Sequence, residues 1–124
     1  MRNGNDSGQV TVLAIALLLG LLALLPIAVN IGELLIAQQR LNAQADSAAL
    51  AGALELEYNN SSACEVAGRF ANISEEDVFR CVTSETDIQI TIATRAPQSI
   101  LNPFIQKLFA SARAGIADTN STMP

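Results

Sequence analysis

The sequence predicts an α+β protein in which a long N-terminal helix crosses a membrane and continues as a stalk. A small head follows, with a short helix and an antiparallel sheet of about three strands. Three observations predict it. Residues 10–29 carry no charged side chain, and about 20 such residues span the ~30 Å hydrocarbon core of a bilayer. Helical spacing of apolar residues then runs on to about Tyr58. Further on, Ile88, Ile90 and Ile92 alternate strictly with Gln89, Thr91 and Ala93, the period-2 pattern of a strand buried on one face. The expected organisation is a polar leader at 1–8, a transmembrane and stalk helix at 9–58, an extracytoplasmic head at 59–117 and a flexible tail at 118–124.

Composition narrows the function. The chain has 124 residues, and outside the apolar run only one small domain's worth remains, too little for a two-lobed catalytic cleft. There is no His, so the commonest general base and metal ligand is missing. A net charge of −5 opposes electrostatic binding of nucleic acid. No motif sets a base beside a nucleophile, so no enzyme, no cofactor and no metal site are expected. The acidic run Glu75-Glu76-Asp77 follows Ser74 and fits the first turn of a helix better than a cation site, because three consecutive residues cannot all face one ion.

The apolar run exceeds the 7–15 residues of a signal-peptide core and lacks a good small-residue cleavage site at its end, so it is expected to stay as an anchor. Arg2 and the terminal amine precede it, a weak positive-inside signal for a cytoplasmic N-terminus. Cys64 and Cys81 both lie beyond it. Their separation suits a disulfide worth about 3 kcal/mol on the chain-entropy model, which would form in an oxidising extracytoplasmic space; two buried free thiols are the alternative.

Past the span, two apolar seams share the helix. Leu34, Ala37, Leu41, Ala45, Ala48, Gly52 and Leu56 recur in steps of three or four and form one stripe of mostly small residues. Ile36, Ala43, Leu50 and Leu54 form a bulkier line on the opposite side. Two seams imply two packing partners. The expectation is that the bulky line packs on the chain's own head, while the small stripe, with Leu34, Leu41, Ala45, Ala48 and Gly52 as its interface, receives a neighbouring helix at close range.

The cluster Asn59-Asn60-Ser61-Ser62 ends the long helix. Val66, Ala67, Phe70 and Ala71 then predict a short helix over 64–72. Strands are predicted over 78–83 and 87–94, with residues 84–86 as the turn between them. Asn102-Pro103 predicts the cap and first position of another short helix carrying Phe104, Ile105, Leu108 and Phe109. The alternation of Ala110, Ala112, Ala114 and Ile116 predicts a last strand.

The stretch Gly8-Gln9-Val10-Thr11-Val12-Leu13, the apolar span, Asn30-Ile31-Gly32-Glu33-Leu34 and Ala45-Asp46-Ser47-Ala48-Ala49-Leu50-Ala51 resemble the N-terminal region of TadE/TadG-like proteins. These are minor pilin-like components of tight-adherence (Flp-type) pilus systems, related to type IV pili and type II secretion. The downstream half is similar to the short TadE-like proteins encoded near secretion genes in actinobacteria. The resemblance implies a pseudopilin or assembly factor with a pilin-like architecture. Its partners would be other pilin-like subunits, secretion-platform membrane proteins and lipid, in an oligomer or filament. It also draws attention to Gly8 and Gln9, where a prepilin peptidase would cut, although the fifth residue after such a cut is Leu13 rather than the Glu typical of pilins. A single-pass binding or sensory module, anchored by the same helix, is the alternative function.

Overall fold

A computed structural model of the chain describes residues 6–98 and 103–116. Most of the polar leader, Asn102 and the tail at 118–124 lie outside the described residues. Helix α1 runs over Asp6–Tyr58, 53 residues, about 80 Å at 1.5 Å per residue. It starts a few residues before the predicted point because nothing in the run to Gln9 breaks a helix. It also continues through Pro26, and Asn30 Nδ2 donates to the Pro26 carbonyl at 2.6 Å.

The polar cluster ends α1 as expected. Asn59 Oδ1 accepts from the backbone and hydroxyl of Ser61, and Ser62 Oγ donates back to Glu55 Oε1 at 2.7 Å. Helix α2, Ala63–Ala71, then folds back on α1 and stops at Asn72, which takes the left-handed conformation at φ 47° that Asn tolerates better than most residues. Its buried side is Ala63, Ala67 and Ala71, one residue per turn.

Three strands follow, β1 at Val78–Thr83, β2 at Asp87–Arg95 and β3 at Lys107–Gly115, in the antiparallel order β1-β2-β3. Ser84 N donates to the Asp87 carbonyl at 2.7 Å and closes the first turn. The inner face of the sheet is Ile88, Ile90 and Ile92 of β2 with Leu108 and Ala110 of β3, all buried. Its outer face pairs Thr91 with Ser111, and Arg113 forms an ion pair with Asp87.

Two sequence expectations change here. The predicted helix carrying Phe104, Ile105, Leu108 and Phe109 does not form. Pro103 and Phe104 sit in a turn, and β3 begins at Lys107. The nine residues of β2 would otherwise leave the ladder groups opposite Ala93–Arg95 unpaired, and unpaired buried backbone is costly. Leu108 is also in phase with Ala110, Ala112 and Ala114, so the period-2 signal extended further upstream than the apolar cluster suggested. The acidic run likewise opens no helix. Asp77 closes a turn instead, its Oδ2 accepting from Ser74 N at 2.9 Å and its Oδ1 from Thr94 Oγ1 at 2.5 Å.

Candidate functional surface on the long helix

Along residues 10–29 every side chain of α1 is exposed, leucine on all sides, and by length and composition this stretch is able to cross a membrane. A surface of this kind in water would cost roughly 25 cal/mol for each Å² left unburied. It fits a membrane anchor. Gly20 lies inside it with nothing of its own chain near the position of a Cβ. The Gly8–Gln9 junction falls in the first turns of the helix.

Beyond the span the two seams have definite partners, and their roles are exchanged relative to expectation. Leu41, Ala45, Ala48, Gly52 and Leu56 are buried, Ala45 and Ala48 at 0 % exposure, and Leu34 packs at the margin of the same core. What covers them is the chain's own head. The bulky line faces outward, with Ile36 exposed, Leu50 at 62 % and Leu54 at 68 % exposure. The small stripe is therefore an intramolecular seat rather than a dock for a neighbouring helix. The reason lies in Gly52, where a Cβ would come within 2.5 Å of Ile88 Cδ1, 3.1 Å of Ala67 Cβ and 3.3 Å of the Ala63 carbonyl. Helix α2 and the isoleucines of β2 converge on α1 at one level, and only small residues leave room for both.

Gln38 is a residue that sequence reasoning passed over. Its Nε2 donates to the Phe109 carbonyl at 2.8 Å, satisfying an acceptor on β3, a strand at the edge of the sheet. The pairing spans 71 positions, and no local pattern announces it. The outward seam was visible as spacing, since Ile36, Ala43 and Leu50 repeat every seven residues, but its exposure was not.

Cys64 and Cys81 form a disulfide, with Cα atoms 5.9 Å apart. It ties α2 to β1. Those two elements otherwise meet along a short margin, where the Phe79 ring lies near Gly68. Among the described residues no three His, Cys, Asp or Glu side chains gather to hold a metal ion. Glu75 and Glu76 point to solvent while Asp77 is spent on its turn.

The Tad family model, described as "Flp pilus-assembly TadE/G-like", matches residues 8–55. This part of the chain is TadE/G-like. The TadE/G-like segment comprises the apolar span and nearly all of the stalk, including both seams apart from Leu56, and stops just short of the head. Neither a curated protein nor a solved structure matches the chain. Pilus assembly of the Tad type is what the description of that family names, for a match over residues 8–55.

Proposed function

We propose that the protein is a minor pilin-like subunit or assembly factor of a Tad/Flp-type pilus, or of a system related to type II secretion, that acts by helix packing. The observation that carries this reading is the unpartnered side of α1. A leucine-rich anchor leads directly into the exposed seam of Ile36, Ala43, Leu50 and Leu54, while the opposite side is occupied by the chain's own head. A second helix laid along this seam would bury apolar surface in water and gain van der Waals contact within the bilayer, where lipid supplies no hydrophobic drive of its own. The disulfide supports a head in the extracytoplasmic space and an N-terminus in the cytoplasm. The partners are other pilin-like subunits and membrane proteins of the secretion platform.

Shearing cells and assaying filament and membrane fractions tests this role. Recovery with filaments, or with the platform proteins in the membrane, supports it. A discrete small oligomer with neither would favour an anchored binding or sensory module. A photo-crosslinking residue at Leu50 or Leu54 should capture neighbouring subunits, and one at Ala48 should not. The mass of the mature chain checks leader processing, since a chain beginning at Gln9 supports cleavage after Gly8 and one beginning at Met1 rejects it.

A further inference from the structure

The head sits low on the stalk. Leu34 and Ala37 already pack at the margin of its core, and Leu34 is five residues beyond Val29, about 7.5 Å along the helix. The polar layer of a bilayer extends roughly 5–7 Å beyond the hydrocarbon on each side. The foot of the head therefore meets the lipid headgroups whenever the anchor is inserted.

What forms that foot follows from the direction of β3. Leu108 shares a groove with Ala37 and Leu41, and Ala114 shares another with Leu50 and Leu54. The six steps along the strand from Leu108 to Ala114 and the thirteen along the helix from Leu41 to Leu54 both cover about 20 Å. β3 thus rises alongside α1, away from the membrane, and β2, antiparallel to it, descends. Ala96 N donates to the Gln106 carbonyl at 3.0 Å, so the connection leaves the sheet as a narrow neck. Phe109 is held at the level of Gln38, and Ile105, four residues earlier and just before β3 begins, packs against the margin of the same core. Next to Ile105, at the membrane-side end of the head, stands Phe104, the most exposed large apolar side chain among the described residues, at 86 %.

We propose that the turn at Pro103 and Phe104 is a second membrane contact, in which Phe104 enters the interfacial layer of the bilayer that holds α1. The proposal rests on the anchor reading of α1 and is independent of which way the chain is oriented, because loop and head lie on the same side of the bilayer. An aromatic ring at the headgroup boundary is in a favourable setting, whereas one at this exposure in water is not. Arg95 and Lys107 stand directly opposite each other at the neck, both exposed. Like charges in that arrangement repel, and lipid phosphates at that level would relieve the repulsion. With two points of attachment the head is fixed in tilt and rotation, so the seam of Ile36, Leu50 and Leu54 presents one defined direction to partners in the membrane plane.

The chain has no Trp, so F104W introduces a single fluorescent reporter. The full-length F104W chain in phosphatidylcholine vesicles should show blue-shifted emission and be quenched by lipids brominated near the top of the acyl chain. That quenching should exceed by about three-fold that of F109W, a ring exposed on the outer sheet face well above the interface. Aqueous iodide should quench in the reverse order. If F104W floats with the vesicles yet is quenched by iodide as readily as F109W, the second contact is refuted and the anchor stands. If the chain does not float with vesicles at all, the anchor reading fails and the second contact with it.

Discussion

In residues 10–29 α1 turns leucine outward on every side, whereas from Leu41 to Leu56 its inward side is mostly alanine and glycine and its outward side is again bulky. Between Leu41 and Leu56, themselves buried, the larger side chains are the exposed ones, as the leucines of the span are. What decides burial here is how near the partner's backbone must come, and not how hydrophobic each residue is. The head brings a helix and a sheet to the same stretch of α1, so that stretch must be slim. Lipid, and a neighbouring subunit's helix, are free to take their distance from a rougher surface.

The difference between the halves predicts that damage to the head and damage to the anchor separate cleanly. The largest effect belongs to Ile90, fully buried at the centre of the sheet. I90A should destabilise the head by about 2–5 kcal/mol, seen as a lower melting temperature in detergent micelles, while flotation with vesicles stays unchanged. Removing the disulfide with C64S and C81S together should cost about 3 kcal/mol, again with intact membrane association. A drop in flotation in either case would mean that the halves are not independent.

Glycine gives the sharpest contrast between the halves. G52A should cost about 1–3 kcal/mol through overpacking, since its new methyl meets Ile88 at 2.5 Å. The same change at Gly20, where nothing lies within 4 Å, should leave the melting of the head unaltered. Equal effects at the two positions would contradict the packing described. On the outer sheet face, D87N weakens the ion pair with Arg113 and should cost under about 1 kcal/mol, because the guanidinium end of the pair is open to solvent, where ion pairs contribute little.

The smallest change in stability is expected from L50S combined with L54S, within about 0.5 kcal/mol for the isolated chain, yet this variant should lose crosslinking to its neighbours. Loss of folding instead would show that the seam belongs to the head after all.

Much of the head was legible locally. The alternation of Ile88, Ile90 and Ile92 located β2, the polar cluster at 59–62 ended α1, and the cysteine spacing pointed to the disulfide that the structure contains. Phe104 to Phe109 misled because four apolar residues at helical spacing also fit a turn followed by a strand, and only the unpaired end of β2 chooses between them. The functional surface was half legible. Both seams stood out by periodicity, but periodicity carries no information about which side a partner takes.

By itself the sequence determined that a long helix exists, that its first half suits lipid, and that a small head with an antiparallel sheet follows. Those outcomes depend on contacts and composition within a few residues. Which seam the head occupies, that Gln38 holds the edge strand, and that β3 begins at Lys107 were decided only in three dimensions. Each depends on where a backbone distant in sequence arrives, and the space it needs at Gly52 is set by α2 and β2 together.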